Sequence, residues 1–326
     1  MRRVSVLIPC YNGIQYIDRC FKSVLCQTEH EMQVVFVDDG SHDNSLHEAL
    51  KYHALFFFFF HELIVLSQQN GGAASAIHRA LSKASSKYLV LLDVDDEFLP
   101  DSCKMQADYL DSHSDCGIVL TDGNVVSQKS GEFLYSLRCK DVIADHIDII
   151  SGLMKGDIKN IPGAYMVRHS LIKDFYAHHK FICDQFGQNL QIMMPAAHKH
   201  FAGYIDLPLF NYYRPEQSHS NPGSFDKEIF NLEGYLGMRL NMANEMGLDN
   251  KDYIKSAKCA FLNSALYVCS KYRRKDEFNI YAAKLREFRN LTLSEKLDES
   301  VLNRRPSQFY YRVIRFLADK LSIGYE

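Results

Sequence analysis

Three aspartates, Asp93, Asp95 and Asp96, follow the apolar run of residues 88–92 within four positions. Carboxylates this close repel one another and raise each other's pKa unless a cation lies among them. A hard divalent ion such as Mg2+ or Mn2+ is bound by one or two carboxylates and completes its coordination with water and substrate phosphates. The spacing therefore predicts a metal and diphosphate site, and an acidic loop that caps the next helix is the alternative.

The acidic stretch belongs to a series of predicted strands that end in polar residues. Short apolar runs predict strands at residues 4–8, 32–37, 64–66 and 88–92, and helical spacing predicts helices over 14–25 and 73–84. Strands that alternate with helices predict an α/β fold with a mostly parallel, doubly wound sheet. Its ligand is expected beyond the carboxyl ends of the strands, where Pro9, Asp39, Asn70 and Asp95 stand.

The later part of the chain predicts a second region. A helix to residue 112 and strands at 117–123, 161–168 and 204–214 complete the first part, and residues 124–160 give no clear pattern. From residue 225 onward the pattern is helical. Residues 227–326 carry 18 Lys and Arg against 13 Asp and Glu, whereas residues 1–226 carry 19 against 27. We therefore place a boundary near residue 220, with a catalytic domain over 1–220 and a helical region over 221–326.

Composition excludes several classes of protein. The 326 residues are 47% hydrophobic and carry a formal net charge of −3, which argues against a dedicated nucleic-acid binder. Nine cysteines without a C-x-x-C pair indicate neither a disulfide framework nor a zinc site. The first residues have no signal-peptide pattern, and no apolar stretch reaches the length of a membrane span. We expect a cytoplasmic protein, with attachment to the inner face of the membrane as an open alternative.

Four segments together resemble the inverting, GT-A-fold family 2 glycosyltransferases. They are residues 4–12 (VSVLIPCYN), 34–41 (VVFVDDGS), 70–72 (NGG) and 92–96 (LDVDD). The likeness covers about the first 215 residues and implies a GT-A, Rossmann-like fold followed by a C-terminal helical extension. It also implies transfer of a sugar from a nucleotide diphosphate sugar, with UDP favoured, to a hydroxyl of a glycan or lipid-linked saccharide acceptor.

The same resemblance implies roles on the donor side. Pro9, Tyr11 and Asp39 are similar to the residues that hold the nucleobase and ribose in this family. Asp93 resembles the first acid of the D-x-D motif, near the ribose and donor sugar. Asp95 resembles the acid that ligates Mn2+ or Mg2+. Such an ion would neutralise the diphosphate leaving group, where negative charge develops as the sugar departs.

On the acceptor side, Asp184 resembles the catalytic base, which takes the proton of the attacking hydroxyl. Its apolar neighbours Phe181, Ile182 and Phe186 lead us to expect that desolvation raises the pKa of Asp184. Capping of the following helix is the alternative role. Cys183 stands where the family usually has Glu, which is a departure from the pattern.

Two further positions bear on donor binding. Ile77 stands where the family often has an arginine near the nucleotide, and His78 or Arg79 is the candidate replacement. His219 lies where some relatives close a loop over the donor, so it is either a metal or diphosphate ligand or an exposed loop histidine. The missing arginine keeps open a catalytically silent relative that binds a nucleotide sugar or a partner. A nucleotidyltransferase is a weaker alternative, because residues 9–13 supply no basic, Gly-rich triphosphate loop.

Two aromatic stretches each allow two interpretations. Residues 56–60 are five consecutive phenylalanines, which predict core packing with one or two exposed rings, or else a contact with a partner or membrane. Residues 303–323 have the pattern of a basic amphipathic helix with aromatic residues. Such a helix lies on an anionic membrane surface, or packs its apolar face on the catalytic domain or across a homodimer.

Overall fold

The structure is a computed structural model that describes residues 2–137, 147–158, 161–215, 223–248 and 251–303. The chain divides into two compact units. The first comprises Met1–Ser218 with Glu245–Gly247, and the second comprises His219–Asn244 with Leu248–Glu326. The functional roles assigned above to residues 1–220 and 221–326 stay predictions.

The first half of the N-terminal unit alternates strands with helices. Its elements are β1 (Val4–Cys10), α1 (Ile14–Leu25), β2 (Gln33–Asp38), α2 (Ser45–Leu50), α3 (His53–Phe58), β3 (Glu62–Ser67), α4 (Ala73–Leu81) and β4 (Tyr88–Leu91). The strands β2 and β4 are buried along their whole length, as expected for strands covered on both faces. Helix α1 buries Ile17, Cys20, Phe21 and Val24, which form one stripe at helical spacing.

The second half adds β5 (Glu97–Phe98), α5 (Ser102–Ser112), β6 (Cys116–Ser127), β7 (Phe133–Leu137), α6 (Ile150–Lys155), β8 (Tyr165–Arg168), α7 (His169–Tyr176), α8 (Leu190–Ala197) and β9 (Phe201–Arg214). β7 and α6 lie where the sequence pattern was unclear. β7 has the sequence FLYSL, in which three apolar or aromatic residues come in a row and are exposed, so neither its sequence nor its burial alternates.

The strands form one sheet in the order β3-β2-β1-β4-β8-β6-β9-β5, with β7 paired to β6. The first four strands are parallel, and Val6 of β1 lies between Val34 and Val90. β8 enters antiparallel to β4 and β6, and β6 and β9 are again parallel. This α/β architecture with a doubly wound parallel half confirms the predicted fold class. The strand order reverses at β1, so a crevice opens beyond the carboxyl ends of its neighbours.

The second unit contains α9 (Phe225–Glu245, shared with the first unit at its last residue), α10 (Lys251–Tyr272), α11 (Lys275–Arg286) and α12 (Leu293–Asn303). Leu262, Leu266 and Cys269 of α10 pack with Phe278 and Leu285 of α11 in a buried cluster. Among the described residues, no helix combines the length and apolarity needed to cross a membrane. His219 and the predicted amphipathic helix after Asn303 lie outside the described residues.

The phenylalanine run exposes more rings than the one or two expected. Phe56 is fully buried and makes an edge-to-face contact with Phe21, at 5.3 Å between ring centroids. Phe57, Phe58 and Phe60 are exposed by 83%, 72% and 75%, and Phe59 by 44%. α3 ends at Phe58 and buries Phe56 alone among its rings, so Phe57 and Phe58 face outward, and Phe59 and Phe60 follow the helix.

Candidate active site

The loops after β1 and β2 are joined by hydrogen bonds between backbone amides and side chains. The Asn12 amide donates to Ser41 Oγ at 2.9 Å, and the Gly13 amide donates to Ser45 Oγ at 3.0 Å. In return, Asn12 Oδ1 accepts from the His42 amide at 2.8 Å. Asn12 adopts the left-handed conformation, with φ of 51°, which asparagine tolerates better than most residues. These bonds fix the two loops as one wall of the crevice.

Tyr11 and Pro9, both predicted on the donor side, lie on this wall. Pro9 is within β1 and pairs in register with Val37, one residue before the strand ends. Tyr11 is 48% exposed, and its ring contacts His42 edge to face at 6.3 Å between centroids. A half-exposed aromatic ring at the carboxyl edge of a parallel sheet is free to stack on a planar ligand.

Asp39 is buried and holds the Asn-Gly-Gly turn. Its Oδ1 accepts from Gln68 Nε2 at 2.7 Å and from the Gly71 amide at 2.9 Å, and its Oδ2 accepts from the Gly72 amide at 2.8 Å. Gly72 has a φ of 84°, in the region that favours glycine, and it is the N-cap residue of α4. A carboxylate has about four acceptor positions, so three are already used. The nucleoside contact predicted for Asp39 stays a prediction, and the structure adds a role in shaping the turn.

The three acids after β4 come together in a tight turn. The Leu92 amide continues the sheet by donating to the Leu7 carbonyl at 3.0 Å, and the Asp96 amide donates to the Asp93 carbonyl at 3.0 Å. One carboxylate oxygen from each of Asp93, Asp95 and Asp96 lies within 4.8 Å of the others. The sequence predicted this cluster, and the turn explains how it forms.

The pKa of each acid in this cluster is raised. Burial, and then the charge of Asp95, raise the pKa of Asp93 to about 7. Burial also raises the pKa of Asp95, and that of Asp96 stands well above its usual value because of burial and its two acidic neighbours. Desolvation and like charge both disfavour the ionised form. A cation bound among the three carboxylates would therefore stabilise their ionised forms.

Asp96 is buried and only half satisfied. Its Oδ1 accepts from the Tyr213 amide of β9 at 2.8 Å, whereas its Oδ2 has no hydrogen-bond partner among the described residues. An unpaired buried carboxylate oxygen is costly. Oxygen ligands at this spacing, with one orphaned oxygen among them, fit a hard divalent cation such as Mn2+ or Mg2+.

Arg19 supports the acidic turn from α1. It donates to the Asp95 carbonyl, and its guanidinium lies 3.5 Å from the centroid of the Tyr213 ring. The same tyrosine supplies the amide that binds Asp96, so α1, the acidic turn and β9 are joined at one point. Sequence reasoning missed Arg19, because nothing in the α1 pattern indicates a partner 76 residues away.

Asp184 lies in an irregular segment between α7 and α8. Its side chain is exposed, so the expected burial among Phe181, Ile182 and Phe186 is wrong for the carboxylate itself. The rings of Phe181 and Phe186 are buried, whereas Oδ1 of Asp184 accepts from the Gln185 amide at 2.6 Å. Apolar neighbours in sequence turn into the core here and leave the acid outside. The capping alternative is also wrong, because α8 begins after Asn189.

Gln191 holds the segment that carries Asp184. This buried side chain donates to the Ile182 carbonyl at 2.8 Å and accepts from the Ile182 amide at 2.7 Å. The paired bonds act like one step of a sheet ladder, two residues before Asp184. Sequence reasoning missed Gln191, although a lone polar side chain in the apolar run of α8 was a usable signal.

His78 reaches the same segment from α4. Its ring stacks on Phe181 at 5.2 Å between centroids with an interplanar angle of 8°, and Cys183 Sγ lies 3.9 Å from His78 Nδ1. Ile77, the position of the missing arginine, is buried in the core. Arg79 is exposed. His78 is therefore the one of the two replacement candidates with a described contact to the Asp184 segment.

Known proteins resemble this chain in both sequence and fold. Residues 5–156 match the family described as "Glycosyl transferase family 2". An uncharacterized glycosyltransferase of Rickettsia bellii is 31% identical over 168 residues, which cover 50% of this chain and 24% of that protein. The chain thus spans about a quarter of the length of this curated relative.

Two solved structures share the fold. S. aureus TarS 1-349, in complex with UDP-GlcNAc, is 18% identical with a TM-score of 0.57, and the match covers 94% of this chain and 93% of that one. The mannosyltransferase PcManGT from Pyrobaculum calidifontis, in complex with GDP-Man and Mn2+, is 15% identical with a TM-score of 0.53 and covers 93% and 87%. In sequence, residues 5–156 of this chain thus match glycosyl transferase family 2, and the chain shares its fold with the two solved structures.

Proposed function

We propose that the protein is a metal-dependent, inverting glycosyltransferase that moves one sugar from a nucleotide diphosphate sugar to a hydroxyl of a glycan or lipid-linked acceptor. The observation that carries this proposal is the cluster of Asp93, Asp95 and Asp96 after β4, with ligand oxygens within 4.8 Å and raised pKa values. UDP is the nucleotide that the sequence resemblance favours, and TarS is solved with UDP-GlcNAc, whereas PcManGT is solved with GDP-Man.

On the donor side, Tyr11 stacks against the nucleobase, while Asp39 shapes the adjacent turn and approaches the nucleoside. Asp95 and Asp96 hold the divalent ion, and Asp93 faces the ribose and donor sugar. When bound, the ion supplies Lewis-acid stabilisation of the diphosphate leaving group. Arg19 keeps the acidic turn in place through the Asp95 carbonyl, so the carboxylates are positioned before the donor arrives.

On the acceptor side, Asp184 takes the proton of the attacking hydroxyl. Its exposed carboxylate is accessible to an acceptor, and Gln191 fixes the backbone of its segment. A single base and in-line attack invert the anomeric carbon. Binding of an acceptor over Asp184 would displace water from the carboxylate. This desolvation would raise its pKa and make it a stronger base.

The test is the release of UDP from UDP-sugars in the presence of Mn2+. Asp95→Asn should lose both Mn2+ stimulation and turnover. Asp184→Asn should still bind the donor, but transfer should fall by about 100-fold or more, as expected for the loss of a general base. Asp157→Asn, an exposed acid of the same unit, is the matched control and should behave as the wild type. Unchanged turnover in Asp184→Asn would remove Asp184 from the mechanism.

The catalytically silent relative gives a different result in the same experiment. The missing arginine at Ile77, whose side chain lies in the core, is the observation that favours it. In that case UDP with Mn2+ raises the melting temperature, because a ligand that binds only the native state stabilises it, yet no UDP-sugar is turned over.

A further inference from the structure

A cavity of about 910 Å3 lies between α4 and α7, away from the acidic turn. This volume falls within the range of ligand pockets in proteins. Lys87 and Ser86, which precede β4, are among its lining residues, whereas Asp93 follows β4. The four residues of the strand span about 13 Å, so the cavity reaches the opposite edge of the sheet from the donor site.

The cavity is basic although the surrounding sequence is acidic. Its basic lining residues are His78, Lys87, His169 and Lys173, and no Asp or Glu lines it among the described residues. Residues 63–92 contain no Asp or Glu, whereas residues 1–226 as a whole carry 27 acids against 19 Lys and Arg. A positive cleft on an acidic domain selects an anionic ligand.

The two lysines are not equally available to a ligand. Lys87 is paired with Asp111, so part of its charge is already used. Lys173 is exposed and has no carboxylate partner among the described residues. It lies near enough to His169 to lower the pKa of that ring, in addition to the effect of burial. Lys173 is therefore the lysine of this cavity whose charge is most available to bind an anion.

Hydroxyl groups and apolar side chains complete the cavity wall. Ser82, Ser85 and Ser86 line it, and the buried Ser86 Oγ has no hydrogen-bond partner among the described residues. Leu81 and Ile172 supply apolar surface. Hydroxyls beside cations suit phosphate oxygens, and the apolar wall suits the group that the phosphate is attached to.

The cavity adjoins the segment of the proposed catalytic base. His78 and Tyr176 line it, and the ring of each lies 5.2 Å from the ring of Phe181. Phe181 stands three residues before Asp184. A ligand with its anionic group near Lys173 can therefore extend past His78 toward the base.

We propose that this cavity is an acceptor subsite that binds a phosphate ester, so that the acceptor carries a phosphate group remote from the attacking hydroxyl. The proposal rests on the proposed glycosyl transfer only for its link to the acceptor. The phosphate ester comes either from a soluble sugar or polyol phosphate or from a lipid phosphate, and the two sources share the chemistry that Lys173 and the serines recognise.

The test measures binding to the full chain rather than turnover. Isothermal titration with sn-glycerol 3-phosphate, with glycerol as the uncharged control, tests the soluble source. Cosedimentation with phosphatidylcholine vesicles, with and without phosphatidic acid, tests the lipid source. We expect saturable binding of at least one phosphate probe and none of glycerol. Binding of phosphatidic acid alone would assign the ligand to a lipid.

Lys173→Glu should weaken the binding of the phosphate probe about tenfold or more, since a charge-assisted contact becomes a repulsive one. The matched control is Lys155→Glu, which replaces an exposed lysine of α6. It should change the affinity for the phosphate probe by less than about twofold. Ala177→Phe should also weaken binding, because it fills the cavity without a change of charge. An equal loss of phosphate affinity in the Lys155 variant would overturn the proposal. So would unchanged phosphate affinity in a Lys173 variant whose melting temperature equals that of the wild type.

Failure of this proposal is separable from failure of the proposed function. If the wild type releases UDP without an acceptor but binds neither phosphate probe, the cavity proposal alone is wrong. If the phosphate probe binds and no UDP-sugar is turned over, the subsite stands as a phosphate site and the glycosyl transfer is wrong.

Discussion

The guanidinium of Arg19 lies over the ring of Tyr213 at 3.5 Å and also donates to the carbonyl of Asp95. Three elements that are distant in sequence thus meet behind the acidic turn: α1, the turn after β4, and β9. The arginine contacts the backbone of the turn and not its carboxylates. It therefore orients the acids and leaves their oxygens available for an ion.

We expect Arg19→Met to raise the Mn2+ concentration at half-saturation about tenfold, since a charged hydrogen bond contributes about 1.5–3 kcal/mol. Arg19→Lys should lose less, because it keeps the charge but not the planar guanidinium over Tyr213. Titration of UDP release against Mn2+ measures both. Equal half-saturation in wild type and Arg19→Met would show that the turn needs no support.

The raised pKa of Asp93 predicts a pH dependence of metal binding. Ionisation of Asp93 adds negative charge beside Asp95 and Asp96, and protons compete with the metal for those two carboxylates, so affinity for Mn2+ should rise with pH through about 7, the pKa of Asp93. The stability of the metal-free protein changes with pH in the opposite direction to the metal affinity. The folded state holds a proton that the unfolded state has released, so stability falls as pH rises from about 4 to about 7.

Electron paramagnetic resonance of free Mn2+ at about pH 5.5 and about pH 8 measures this affinity, and melting curves without metal measure the stability. Asp93→Asn should make both profiles less steep, and the raised pKa values of Asp95 and Asp96 account for the slope that remains. Equal Mn2+ affinity at the two pH values in the wild type would contradict the predicted competition.

Asp39→Asn tests the role of the buried carboxylate in the Asn-Gly-Gly turn. The substituted amide keeps one acceptor oxygen but turns an NH2 group toward the Gly72 amide, which is itself a donor. We expect a loss of about 1–3 kcal/mol in the free energy of unfolding and weaker binding of UDP. Urea unfolding and titration with UDP measure the two effects. Asp157→Asn, which is exposed, should show neither, and a stable Asp39→Asn with normal UDP affinity would refute the role.

The phenylalanine run supplies a matched pair at adjacent positions. Phe56→Ala should cost about 3–5 kcal/mol, because it removes a fully buried ring from contact with Phe21. Phe57→Ala should change stability by less than about 0.5 kcal/mol, since its ring is 83% exposed. Urea unfolding of both variants gives the comparison. Similar losses in the two would mean that Phe57 is covered in solution.

The sequence by itself determined the α/β class, the four parallel strands and the position of Asp93 and Asp95 at a strand end. Each of these follows from local patterns: apolar runs, helical spacing and acids that follow a buried strand. The family motifs are local too. The sequence can therefore locate the proposed donor side, since its candidate residues lie at or directly after the ends of β1, β2 and β4.

Only the tertiary structure decided the contacts between distant segments. It turned the apolar neighbours of Asp184 inward and left the acid exposed, joined Gln191 to Ile182, and brought Arg19 to Asp95. It also placed His78 and Lys173 around one cavity. Periodicity reports which face of an element is apolar, but it carries no information on which elements face each other. The proposed acceptor side depends on such pairings, and for that reason the sequence alone left it open.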